Sequence, residues 1–169
     1  MGIIKVILFF FIFIACTYIG LIISNKYKNR VRDLKEFKSI LNVINTKIRY
    51  TYEPIREIAK DISDMNKTCI GEIFEEFYYE LNDKTVTDAW NNSIEKLGNN
   101  FSKEDKSIIK NFGKMLGKTD LEGQVSQIKQ ASEFLNIQID KAEIERQKNE
   151  KLYKSLGMII GIAIIIILI

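Results

Sequence analysis

The sequence predicts an all-α protein: a cytoplasmic antiparallel bundle of about six helices, flanked by an N-terminal and a C-terminal transmembrane helix. Three observations predict it. Two long apolar runs lie toward the ends of the 169-residue chain. Between them, apolar residues recur at steps of three and four, the spacing of one helix face. Nowhere does the chain alternate apolar and polar with the period of two that a half-buried strand needs.

Residues 6–23, "VILFFFIFIACTYIGLII", carry no charge, and about 20 apolar residues are enough for a helix to cross a bilayer. A cleaved leader is the alternative, because "FIAC" resembles a lipoprotein cleavage site ending at Cys16. Phe13 fits that site poorly, no Ala-x-Ala follows, and the run continues to Ile23. A retained anchor is therefore expected. The second run is residues 155–169, "SLGMIIGIAIIIILI". At 1.5 Å per residue it reaches about 22 Å, less than the ~30 Å hydrocarbon core. Adding Leu152 and Tyr153, with Lys154 snorkelling to the headgroups, brings it close to spanning length. The expected organisation is an anchor at 1–24, a helical domain at 25–154 and a second span at 155–169.

Flanking charge predicts orientation. Lys26, Lys28, Arg30 and Arg32 follow the first run, and Lys148, Lys151 and Lys154 precede the second. The positive-inside rule then puts residues 25–154 in the cytoplasm and both termini on the opposite side of the cell membrane. Net charge is only +3, with the excess beside the runs, which suits a lipid bilayer's anionic headgroups rather than nucleic acid. Cys16 lies within an apolar run and Cys69 stands alone, so no disulfide framework is expected.

The central elements follow in order. Leu34, Phe37, Leu41, Ile44 and Ile48 form the first stripe, on a helix from Asp33 to Tyr50. Pro54 is suited to the first position of the next helix, which buries Ile55, Ile58, Ala59 and Ile62. Tyr50 and Tyr52 are expected to pack at this junction. Ile70, Ile73, Phe74, Phe77, Tyr78 and Leu81 give a third stripe; Ala89, Trp90, Ile94 and Leu97 give a fourth, closed by Gly98. Ser102 and Asp105 form a capping box before Ile108, Ile109, Phe112 and Leu116. Thr119 and Glu122 form another before Leu121, Val125, Ile128, Leu135, Ile139 and Ala142. Nothing breaks this last helix before the second span. Its stretch "DKAEIERQKNEK" is polar on most faces and is expected to project into solvent.

The segment "NFGKMLGKTDLEGQ", residues 111–124, resembles a phosphate-binding loop. That loop needs four residues between its glycines, a strand before and a helix after. Here three residues separate Gly113 and Gly117, and a helix precedes them. Gly117 reads instead as a helix C-cap and Thr119 as the next N-cap, in a tight turn between antiparallel helices.

Chemistry-bearing constellations are scarce. The chain has no histidine, no metal-ligand spacing and no partner for Cys69, so neither an enzyme nor a cofactor is expected. Glu75, Glu76, Glu143 and Glu145 read as solvated helix positions, and Trp90 as core. Lys118, Asp120 and Gln124 cluster at the turn opening the last helix, where they can meet a partner protein, with Lys114 nearby. Gly157 and Gly161 remove side chains from one face of the second run and permit close helix packing, within a chain or between chains. Cys16 and Gly20 are a similar pair in the first.

The order of "TYEPI", "DAW" at 88–90, "FGKMLGKTDLEGQ" at 112–124 and "EKLYKSLGMIIG" at 150–161, behind an apolar run and a basic collar, resembles the stage III sporulation protein AB family. That family is in turn similar to the F-type platform proteins of type II secretion and type IV pili. The resemblance implies a platform in a secretion-like channel between mother cell and forespore. Its implied partners are a secretion-type ATPase, the stage III sporulation protein AA, and other proteins of that complex, with a homo-oligomer possible. The alternative is a membrane-anchored coiled-coil regulator or tether with no secretion partner.

Overall fold

The structure is a computed structural model that describes residues 2–116 and 120–168. Among these residues there are six α-helices and no strand. They are α1 (Ile3–Thr46), α2 (Ile55–Met65), α3 (Cys69–Glu80), α4 (Val86–Glu95), α5 (Lys103–Met115) and α6 (Leu121–Leu168), with a π-helical turn at Lys47–Thr51. The chain divides into two compact units, residues 1–31 with 141–169, and residues 32–140.

The first unit pairs the beginning of α1 with the end of α6. Both helices are long and apolar enough to cross a membrane, and only 6% and 11% of their most apolar windows is buried. Exposed Phe10, Phe11, Ile159 and Ile166 line them. A core helix of a soluble protein would hide such side chains, so this exposure is compatible with membrane association. The polar stretch of α6 does not project alone into solvent. Arg30, 11% exposed at its side chain, pairs with Glu145 at 2.6 Å. Ser24 Oγ donates to the carbonyl of Glu150 at 2.9 Å, and the Tyr27 and Tyr153 rings stack 5.8 Å apart. Periodicity marks the polar faces of one helix but not the neighbour that covers them.

In the second unit all five residues of the first predicted stripe, Leu34 to Ile48, are buried. Trp90 is the centre of the core. Its ring lies 5.1 Å from Phe77, 5.5 Å from Phe74 and 5.6 Å from Phe112, mostly edge to face, the arrangement the ring quadrupoles favour. Burying the indole N–H would be costly without a partner; it donates to the Ile109 carbonyl at 2.9 Å. Gly113 makes room for the ring, since a β-carbon there would fall 1.7 Å from Trp90 Cδ1.

Local chemistry sets the helix ends. Ser102 and Asp105 satisfy each other's backbone N–H groups at 3.1 and 2.8 Å. The Thr68 and Thr85 hydroxyls accept from the N–H groups of Gly71 and Asp88. Buried Asp33 accepts from Arg32 Nε and Nη2 at 3.0 and 2.9 Å and from Asn100 Nδ2 at 3.0 Å. A buried carboxylate needs such donors, and these tie the α4–α5 loop to α1. The fourth helix ends at Glu95, ahead of Gly98. Pro54 is the residue before α2 rather than its first member, with an extended ψ of 142°.

Candidate partner-binding site

The corner between α1 and α2 departs most from the expected helix. α1 stops at Thr46, and the next turn is π-helical. Thr46 Oγ1 donates to the Asn42 carbonyl at 2.9 Å and Thr51 Oγ1 to the Lys47 carbonyl at 2.7 Å. Such back-bonding threonines compete for the acceptors of the i→i−4 ladder and loosen it. Tyr52 then takes φ 53° and ψ 29°, left-handed, and it is the one non-glycine residue with positive φ among the described residues. A bulky side chain rarely adopts that region.

Lys47 holds the corner in place. Its ammonium meets Asp61 Oδ2 at 2.6 Å and Glu53 Oε2 at 2.7 Å. These hydrogen bonds, the one to Asp61 foremost, raise its pKa above the ordinary lysine value. The two tyrosines do not pack at the junction as the sequence suggested: Tyr50 is 70% and Tyr52 74% exposed. The left-handed residue turns the chain before Pro54 and leaves both rings facing out. The Arg49 guanidinium lies 5.7 Å from the centre of the Tyr50 ring.

The start of α6 borders this corner. Ile48, Tyr52, Glu53 and Ile55 line a recess of about 270 Å³ together with Leu121 and Gln124. Gln124 is thus brought beside Tyr52, a neighbour the sequence did not reveal. Asp120 is the helix cap: its Oδ1 accepts from Gly123 N at 3.0 Å, and its carbonyl accepts from Gln124 N at 3.0 Å. Gly117, Lys118 and Thr119 lie outside the described residues. Gly113 is helical, with no strand before it among the described residues, so the phosphate-loop geometry is not present there.

In the first unit, the glycines of α6 lie against α1. A β-carbon on Gly157 would stand 2.8 Å from the Cys16 carbonyl oxygen and 3.0 Å from Gly20 Cα. One on Gly161 would stand 3.1 Å from Phe13 Cδ2 and 3.4 Å from Cys16 Cβ. Backbones approach this closely only where side chains are missing.

These features define a class: an all-helical protein with two long apolar helices suited to a membrane, and a packed helical unit that presents a strained, tyrosine-bearing corner. Residues 5–169 match the family model of stage III sporulation protein AB, and the chain belongs to that family. It is 28% identical over 162 residues to the stage III sporulation protein AB of Bacillus subtilis (strain 168), covering 94% of this chain and 95% of that one. A solved structure of a stage III sporulation protein AB has a similar fold, with a TM-score of 0.65 at 23% identity, covering 71% of this chain and 98% of its own. Family membership supports a role in sporulation, in a complex with other sporulation proteins.

Proposed function

We propose that the chain is a platform component of a secretion-like channel between mother cell and forespore, docking a cytoplasmic secretion-type ATPase through the Tyr52–Gln124 corner. The observation that carries this reading is the left-handed Tyr52, 74% exposed. Strain of that kind costs of order 1–3 kcal/mol and clusters at functional sites, and exposed tyrosines are favoured anchors at interfaces. Lys47 pins the corner through Glu53 and Asp61, so little conformational entropy would be lost on binding. In this reading Lys118, Asp120 and Gln124 rim the contact. Residues 25–154 lie in the mother-cell cytoplasm as an antiparallel bundle, and both termini lie across the membrane.

A packed unit over residues 32–140 favours a platform over a coiled-coil tether, which would expose extended helix with no core. The experiment is co-purification of the tagged, full-length chain from solubilised membranes of sporulating cells. The platform reading expects the candidate ATPase in the eluate. Its absence, with the chain intact and inserted, would favour the tether.

A further inference from the structure

We propose that the α5–α6 face of the second unit binds a second copy of this chain, as a two-fold pair whose α6 helices run parallel. A groove of about 330 Å³ lies between these helices, lined by Ile108, Phe112, Ala131, Phe134, Ile137 and Gln138 among others. Phe134 and Ile137 are 48% and 52% exposed at its edge. One patch therefore carries both the knobs and the hole. That self-complementarity is what an isologous contact requires. The groove also holds an unpaired acceptor, the buried Gln138 Oε1, which has no hydrogen-bond partner.

Charge selects the occupant. The α5 rim carries exposed Lys103 and Lys110, and the outer flank of α6 carries exposed Glu133 and Asp140. Both pairs are seven residues apart, two helical turns or roughly 10.5 Å. None of the four takes part in an ion pair among the described residues.

The register follows from one contact. Gln138 Nε2 donates to Glu104 Oε2 at 3.2 Å, and the short connection between α5 and α6 makes them run in opposite directions. Six residues beyond Glu104, Lys110 comes level with residue 132; one residue before it, Lys103 comes level with residue 139. When a second α6 enters the groove in parallel and in register, Lys110 meets the partner's Glu133 and Lys103 meets the partner's Asp140. Two copies inserted in one membrane through α6 present it in the same direction, which selects the parallel pair. Lys114, level with the partner's Lys129, is the unfavourable charge of this register. Two ion pairs and an apolar seam oppose it.

The test uses the full-length chain in its membrane, in a Cys16→Ser, Cys69→Ser background. Gln130 lies on the seam one turn from Phe134, so Gln130→Cys should form a disulfide-linked dimer under mild oxidation. In an antiparallel pair centred on Phe134 and Ile137 the two thiols would stand more than about 15 Å apart and would not react. Lys110→Glu should reduce the cross-linked fraction about tenfold, since like charges facing each other oppose association. Adding Glu133→Lys should restore it. Helix content measured on each variant separates loss of the contact from loss of the fold. A Gln130→Cys chain that stays monomeric, as it would if the groove took a different protein, overturns the proposal. So does a folded Lys110→Glu chain that cross-links normally, or one that Glu133→Lys fails to rescue.

Discussion

A β-carbon on Gly20 would stand 2.7 Å from the carbonyl oxygen of Tyr153 and 2.9 Å from Gly157 Cα, so α1 and α6 meet there backbone to backbone. Neither side can yield as a flexible side chain would. Gly20→Val and Gly157→Val should therefore each force the helices apart and cost about 1–3 kcal/mol or more. Gly161→Ala faces mainly the Phe13 ring and Cys16 Cβ, which can shift, so it should cost less than Gly157→Ala. Denaturation midpoints of the full-length chain in detergent give the comparison. Equal midpoints for all variants would show that this approach does not hold the helices together.

Gly113→Ala should disrupt the core, because its β-carbon would overlap the Trp90 indole. We expect destabilisation of about 3 kcal/mol and a red shift of Trp90 emission as the ring leaves its buried place. Gly98→Ala is the matched control, since a β-carbon there has nothing within 4 Å and its midpoint should barely move. Indistinguishable variants would mean that the aromatic cluster is not packed as described.

Tyr52→Gly separates strain from structure. Glycine adopts φ 53° without steric cost, so stability should stay level or rise by up to about 1 kcal/mol. Partner association should nevertheless fall, because the exposed ring is gone. Unfolding of this variant would make Tyr52 a packing residue and remove the main support for the docking corner.

The thiol of exposed Cys69 is held above its ordinary pKa, first by partial desolvation and then by the charges of Asp33 and Glu36, against the lowering effect of Arg32. Only the thiolate attacks alkylating reagents. At pH 7.5 iodoacetamide should thus modify Cys69 more slowly than a cysteine in an unstructured peptide. Glu36→Gln removes one opposing charge and should speed the reaction. A rate unchanged by that substitution would place Glu36 too far away to act.

Orientation rests on charge alone. With Cys69→Ser and a cysteine at Asn66, a membrane-impermeant maleimide should leave intact cells unlabelled and label opened ones. Efficient labelling of intact cells would invert the topology and remove the cytoplasmic partner with it.

What the sequence disclosed follows from what periodicity measures. Steps of three and four name the buried face of each helix, and the stripe from Leu34 to Ile48 is buried as read. Ser102 and Asp105 signalled their cap because that bond is local. Other features depend on neighbours far along the chain. Nothing in the order of residues places Gly113 under Trp90, Gln124 beside Tyr52 or Glu145 against Arg30. The π-helical turn left one signal, the threonines at 46 and 51 just before Pro54. The outward tyrosines left none, because a proline junction is as consistent with packed rings as with exposed ones.

Binding of the purified candidate ATPase to the solubilised full-length chain tests the docking corner most directly, comparing native protein with a Lys118→Glu, Gln124→Ala double variant. Gln124 lines the recess beside Tyr52 and is not part of the aromatic cluster, so stability should change by about 1 kcal/mol or less and helix content should not change. The account predicts that association weakens at least about tenfold, the factor that corresponds to 1.4 kcal/mol, and that forespore development stops after engulfment. A folded, inserted double variant that binds the ATPase like the native chain and sporulates normally would contradict it.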